Sequence, residues 1–123
     1  MTHDDKRSIL IVEDDDDVRG ALAAVLEEEG YSVLEARHGE EALRALRGPV
    51  AVCLILLDLF MPTMNGWAFR DAQRRDPDLS AIPVIVLSAD SAAVKSAASM
   101  GVVDYMVKPV DFDRLLKLIA LHC

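Results

Sequence analysis

Cys53-Leu54-Ile55-Leu56-Leu57-Asp58 is the stretch on which the fold turns. Five apolar residues run without interruption into a carboxylate, followed by the loop-forming Leu59-Phe60-Met61-Pro62-Thr63-Met64-Asn65-Gly66. An apolar run of this length without alternation suits a strand buried on both faces, as in a parallel sheet covered by helices. A carboxylate left dry at the end of such a strand is costly. Asp58 is therefore expected at a solvent-facing strand tip, placed to take a cation or to do chemistry.

Outward from that strand, β-type runs alternate with helical patterns over the whole chain. Upstream, Ser8 to Val12 is an apolar run of strand length, and Asp16 to Glu29 carries Val18, Leu22, Val25 and Leu26 at helical spacing before Gly30. Tyr31 to Ala36 reads as a second strand. Gly39 to Leu46 reads as a short helix bearing Ala42, Leu43 and Leu46, closed by Gly48-Pro49. The strand Val52 to Leu57 is paired with a helix from Asn65, as N-cap, to Arg75, broken by Asp76-Pro77. Downstream, Pro83 to Leu87 precedes a helix over Ser91 to Ser99 stopped by Gly101. Val102 to Val107 is a last strand and Asp113 to Leu121 a last helix with Leu115, Leu116, Ile119 and Ala120 inward. Five βα units predict an α/β fold, a parallel sheet with helices on both faces joined by right-handed crossovers. No linker or low-complexity tract is left over, so residues 1–123 read as one domain.

Composition narrows the function classes. With 52% hydrophobic and 28% charged residues, 123 residues are enough for one packed core. A formal net charge of −8 argues against binding a phosphate backbone directly. The apolar runs fall far short of the roughly 20 residues of a spanning helix, and Met1 to Arg7 holds no apolar signal core. A soluble, cytoplasmic protein without membrane or nucleic-acid contact is the expectation. Cys53 in the buried run and Cys123 indicate neither a disulfide framework nor a metal knot, and read as one core thiol and one terminal thiol. His3, His38 and His122 lack ligand spacing and are expected at the surface; Trp67 and Phe69 are expected to pack.

Ligands of parallel sheets bind beyond the carboxyl ends of the strands. Read together, those ends bring Glu13, Asp14, Asp15, Asp16 and Asp17 after the first strand, Asp58 after the third, Ser88-Ala89-Asp90 after the fourth and Lys108-Pro109 after the fifth. Carboxylates gathered from two strands repel unless a hard cation lies between them, and Mg²⁺ held by one or two carboxylates, waters and a phosphoryl oxygen answers that need. With an ammonium group beside the metal, a phosphoryl group's oxygens are neutralised while a carboxylate attacks phosphorus to form an acyl phosphate. The Ser88 hydroxyl is placed to bind the new phosphoryl oxygen.

The residues also carry a resemblance over essentially the whole chain. Ile9-Leu10-Ile11-Val12-Glu13-Asp14-Asp15, Leu56-Leu57-Asp58-Leu59-Phe60-Met61-Pro62 with Asn65-Gly66, Val86-Leu87-Ser88-Ala89 and Tyr105-Met106-Val107-Lys108-Pro109 resemble, in order and spacing, the motifs of receiver domains of two-component response regulators. The resemblance implies a flavodoxin-like (βα)5 domain with strand order 2-1-3-4-5. It implies Asp58 as phosphoacceptor, taking its phosphoryl group from a sensor histidine kinase or a histidine phosphotransfer protein. Mg²⁺, or Mn²⁺, is then held by Asp14, Asp58, Glu13 through water and the Phe60 backbone carbonyl. Ser88 is the switch hydroxyl, Tyr105 the switch aromatic and Lys108 the phosphate-binding lysine, followed by a cis peptide at Pro109. Phe60 and Asp90 border the path of the hydrolytic water and so modulate dephosphorylation. In the acidic run, a one-residue slip would make the acid pair Asp14 and Asp15; Asp14 belongs to it in both registers. Asn65 and Ser88 replace the commoner aspartate and threonine.

Output is expected on the face of helix four, strand five and helix five, toward a protein target or a second copy of the chain as a homodimer. The chain reads as a single-domain regulator or as the receiver part of a longer protein. Two other classes compete with this switch. Aspartyl-nucleophile phosphatases use Asp-x-Asp, and position 60 is Phe. A degenerate receiver acting as a phosphorylation-independent binding scaffold would not need the acids, Ser88 and Lys108 together.

Overall fold

The computed structural model describes residues 7–123. Its elements run β1 (Arg7–Val12), α1 (Asp16–Glu28), β2 (Ser32–Ala36), α2 (Gly39–Leu46), β3 (Ala51–Asp58), α3 (Gly66–Arg75), β4 (Val84–Ser88), α4 (Ser91–Ser96), a 3-10 turn (Ala97–Met100), β5 (Asp104–Val107) and α5 (Phe112–His122). The strands form one parallel sheet in the order β2-β1-β3-β4-β5. This is the doubly wound parallel sheet that the βα alternation predicts, in the flavodoxin-like strand order that the resemblance implies.

Burial follows the topology. The central strands β1, β3 and β4 are almost wholly buried, while edge strands β2 and β5 mix buried with exposed positions. Side chains of β1, β3 and β4 alternate between two cores. Leu10, Val12, Ile55, Leu57, Val84 and Val86 pack against residues of α2, α3 and α4; Ile9, Ile11, Leu54, Leu56, Ile85 and Leu87 pack against α1 and α5. Each fully buried Leu or Ile stabilises the fold by about 1.5–3 kcal/mol, so this two-sided burial outweighs any single loop or cap.

The predicted helix over Ser91 to Ser99 does not run through. It ends as an α-helix at Ser96 and tightens into the 3-10 turn. Ser96 Oγ donates to the Ala93 carbonyl at 2.6 Å and Ser99 Oγ to the Ser96 carbonyl at 2.8 Å, back-bonding that favours the narrower turn. Gly101 closes it at φ 68°, a left-handed conformation that glycine adopts without penalty. The final strand begins at Asp104 rather than Val102, and Ala120, expected inward, is exposed.

Two buried polar side chains of α3 hold the neighbouring connections. Gln73 Nε2 donates to the carbonyls of Leu79 (2.9 Å) and Ile82 (3.0 Å), and Gln73 Oε1 accepts from Arg70 Nη1 at 2.7 Å. Arg70 in turn donates to the carbonyls of Met100 (2.9 Å) and Gly101 (3.0 Å). The helix thus supplies partners to backbone groups at the end of the 3-10 turn that no ladder satisfies.

The cysteines require a correction. Cys53 and Cys123 are not two isolated thiols but form a disulfide across 70 residues. Spacing in the sequence does not reveal this, because α5 must first pack along β3 to bring position 123 there. Among the histidines, His38 is the N-cap of α2, its Nδ1 accepting from the Glu41 N–H at 3.3 Å, rather than a free surface residue. His122 is exposed, and His3 lies outside the described residues. No helix among the described residues is long and apolar enough to cross a membrane.

Candidate functional site

β1, β3 and β4 end side by side, so their tips converge. Asp58 is the last residue of β3, registered against Leu87 of β4, and Ser88 follows as the last residue of that strand. Glu13 is the first residue after β1, held to the sheet edge by its backbone N–H, which donates to the Ala36 carbonyl at 3.0 Å. Carboxylate oxygens of Glu13, Asp14 and Asp58 all lie within 4.8 Å of one another. Glu13 and Asp58 are buried and Asp14 is exposed, so the cluster opens to solvent on one side.

Lys108 reaches this cluster from the end of β5. Its Nζ pairs with Glu13 Oε1 and lies 3.8 Å from Asp58 Oδ1. The Lys108–Pro109 peptide is cis, as the resemblance implies. Asp58 is only 7% exposed. Burial, reinforced by the Glu13 charge and opposed by Lys108, pushes its carboxyl up to about 7. One ammonium against three carboxylates leaves the group short of positive charge. An all-oxygen donor set with excess negative charge, half open to water, suits a hard divalent cation such as Mg²⁺ and would be a poor thiolate or imidazole site.

Ser88 is fully buried, with Oγ accepting from the Asp90 N–H at 3.3 Å. Its own hydroxyl proton remains available for an acceptor. Asp90 turns away from the cluster: Oδ1 caps α4, accepting from the N–H groups of Ala92 (2.9 Å) and Ala93 (3.1 Å). Phe60 is 52% exposed and stands edge-on to Trp67, ring centroids 5.2 Å apart. Tyr105 is 38% exposed beside an open groove of about 500 Å³ lined by Val94, Lys95, Asp104, Val107 and Arg114 as well.

The loop after Asp58 is folded back on the strand. Gly66 N–H donates to the Leu59 carbonyl at 2.9 Å, and a Cβ at Gly66 would come within 2.6 Å of the Asp58 carbonyl oxygen. Only glycine permits that approach. Asn65 caps α3, Oδ1 accepting from Ala68 N–H at 2.9 Å, in the role assigned to it from sequence. In the acidic run, Asp15 Oδ1 caps α1 by accepting from Asp17 and Val18, while Glu13 joins Asp14 and Asp58. Among the described residues the acids that come together are therefore Glu13, Asp14 and Asp58, while Asp15 is committed to the helix cap.

Arg19 escaped the sequence reading. Its Nη1 donates to the Glu13 carbonyl at 2.8 Å, and its guanidinium also bonds Asp16 Oδ1 (2.5 Å) and Glu35 Oε1 (3.1 Å). Burial works against its charge, but the bonds to Asp16 and Glu35 outweigh it and hold the guanidinium above its ordinary value. The one available signal was an arginine three residues after Asp16 at the end of an acidic run.

Comparison with known proteins places this geometry. The family model for the response regulator receiver domain matches residues 9–120. Protein PilH of Pseudomonas aeruginosa is 35% identical over 113 residues, covering 90% of this chain and 93% of PilH. The transcriptional regulatory protein ZraR of Escherichia coli is 37% identical over 118 residues, which are 94% of this chain but 26% of ZraR. Among solved structures, the response regulator TrrA of Thermotoga maritima, in complex with Mg²⁺-BeF, superposes over 100% of both chains with a TM-score of 0.83 at 31% identity.

Proposed function

The chain belongs to the response regulator receiver domain family, and on that premise we propose that it is a phosphoryl-accepting switch of two-component signalling with Asp58 as acceptor. The observation that carries the reading is the convergence of a buried Asp58 carboxyl, the acids Glu13 and Asp14, and the Lys108 ammonium at one strand end, with the Ser88 hydroxyl on the next. Each residue has a distinct task there.

Asp58, as carboxylate, attacks the phosphorus of a phosphohistidine on a sensor histidine kinase or histidine phosphotransfer protein. The new O–P bond forms as the P–N bond breaks, and the imidazole leaves with the electron pair. Asp14 and Asp58, with Glu13 through water and the Phe60 carbonyl, would hold Mg²⁺ or Mn²⁺, which supplies positive charge against the phosphoryl oxygens. Lys108, paired with Glu13 in the resting protein, is drawn toward the incoming phosphoryl group, and Ser88 donates its hydroxyl proton to a phosphoryl oxygen. The chain modifies itself and is not a turnover enzyme.

Readout follows from the same movement. As Ser88 is drawn toward Asp58, space opens beneath the outward Tyr105, and the face of α4, β5 and α5 changes shape for a downstream protein or a second copy of the chain. The acidic balance of the chain supports a protein target over nucleic acid. Incubation with acetyl phosphate, with and without Mg²⁺, tests the assignment. Metal-dependent labelling that is absent in Asp58→Asn is expected. No labelling of the wild type would favour the scaffold reading, and full labelling of Asp58→Asn would remove Asp58 from its role.

A further inference from the structure

We propose that Cys53 and Cys123 are a reversible dithiol–disulfide couple, a redox site that latches the last turn of α5 to β3. The proposal stands apart from the phosphoryl chemistry. Cys53 lies five residues before Asp58, about 16 Å away along an extended strand, so the couple occupies the opposite end of β3.

The first support is the way β3 presents Cys53. Ser8 is registered against Val52 but Ile9 against Leu54, so Cys53 is an extra residue in β3, a bulge against β1. The bulge breaks the alternation of side chains. Val52 packs toward the α2, α3 and α4 side, whereas Cys53 and Leu54, though consecutive, both pack toward α1 and α5. A regular strand with the same Leu54 would turn Cys53 to the other core. The irregularity therefore aims this thiol at α5.

The helix meets it in register. Leu115 and Ile119, the two buried residues of α5, are four apart, and Cys123 continues the same stripe, its N–H donating to the Ile119 carbonyl at 2.8 Å. The two Cα atoms are 5.2 Å apart, within the range that a disulfide spans without backbone movement.

Both redox states are satisfied, and only one sulfur is open to attack. Cys53 Sγ lies 3.5 Å from the Ser8 carbonyl oxygen, which can accept the thiol proton when the bond is open. Cys53 is 6% exposed, whereas Cys123 is exposed. Access thus assigns the first step to Cys123. With hydrogen peroxide as oxidant, the Cys123 thiolate attacks one peroxide oxygen and the O–O bond breaks, leaving a sulfenic acid and a hydroxide that takes up the proton lost by the thiol and departs as water. The Cys53 sulfur then attacks the sulfenyl sulfur, the S–S bond forms and a second water leaves. Two electrons pass from the two sulfurs to the peroxide. A dithiol reductant reverses the change by exchange, beginning at the exposed sulfur. Closing the loop restricts the end of α5, whose Leu121 is 77% exposed; opening it returns that turn to the marginal stability of a helix end.

The test uses the full chain, reduced with dithiothreitol, desalted and treated with a stoichiometric amount of hydrogen peroxide. The expected product is a monomer that has lost two hydrogens by intact mass and both titratable thiols, and that dithiothreitol restores while the protein stays folded. In the oxidised form the thermal midpoint should rise by roughly 10 °C, and amide exchange at the end of α5 should slow by at least about tenfold. Cys53→Ser places a hydroxyl in the core, so Cys123→Ser carries the control: its exchange and midpoint should not respond to peroxide. Sulfinic acid at Cys123 without a disulfide, or a bond between two chains, would overturn the couple. A disulfide that dithiothreitol cannot open in the folded protein would overturn its reversibility, and unchanged exchange in α5 would overturn the latch.

Discussion

Asp58 is a carboxyl that the fold holds in a place hostile to its charge. Its ordinary value of 3.8 is pushed up to about 7 by burial and by Glu13. Between those values the folded protein binds a proton that the unfolded chain has released. The stability contributed by the neutral form is therefore complete below the unfolded value and lost as pH rises through about 7. Asp58→Asn removes this dependence. In metal-free buffer the variant should gain a few kcal/mol on wild type between pH 4.5 and pH 8, read by urea unfolding; parallel pH profiles would refute the raised carboxyl. The lifetime of the proposed aspartyl phosphate depends on side chains beside Asp58 and Ser88. Asp90 commits Oδ1 to the α4 cap, which weakens its claim on a hydrolytic water, while Phe60 offers no polar atom to orient one. Phe60→Asn should accelerate phosphate decay, by an order of magnitude or more if water orientation limits the rate. Equal or slower decay in the variant would show that the ring is not the shield.

At the scale of the element, α3 does more than cover the sheet. Gln73 and Arg70 sit on its buried side and bond four backbone carbonyls, those of Leu79, Ile82, Met100 and Gly101. Gln73→Leu keeps the volume but leaves the Leu79 and Ile82 carbonyls and the Arg70 guanidinium without this partner. An expected loss of about 2–4 kcal/mol in unfolding free energy follows. Removing the exposed Asp71–Arg75 pair by Asp71→Ala should cost less than about 0.5 kcal/mol, because solvent screens it. Equal losses in the two variants would mean that the buried amide contributes no more than a surface contact. The reading from sequence missed this pair because a Gln and an Arg at helical spacing look the same on a wet face as on a dry one. It missed the 3-10 turn for a related reason: the serine hydroxyls that tighten it have several local partners to choose from.

At the scale of the whole molecule, 21 acidic residues face 13 basic ones, and among the described residues Glu13, Asp14 and Asp58 gather where the tips of β1 and β3 meet. A cation bound there should stabilise the fold by mass action, by about 2.7 kcal/mol at a hundredfold excess over its dissociation constant. Mg²⁺ is expected to raise the thermal midpoint of the wild type. Asp14→Ala should lose most of that rise, and Lys108→Ala should keep or exceed it because a competing ammonium is gone. The same rise in Asp14→Ala and wild type would take Asp14 out of the metal set. The alternation of apolar runs with helical stripes determined the five βα units, and the burial of strands on both faces determined a parallel sheet, because these are local periodicities with one stable way to be covered. The position of Asp58, Ser88 and Lys108 at the strand tips was legible for the same reason: the first two end β3 and β4, Lys108 follows β5, and strand ends in such a sheet meet. Only the tertiary structure decided that Lys108 rests on Glu13, that Arg19 holds the Glu13 backbone, and that Cys53 turns through a bulge to meet Cys123. The Lys108 and Cys123 pairings depend on distances between elements far apart in the chain, and the Arg19 bond on how α1 is set against the end of β1; no pattern within one element encodes any of them.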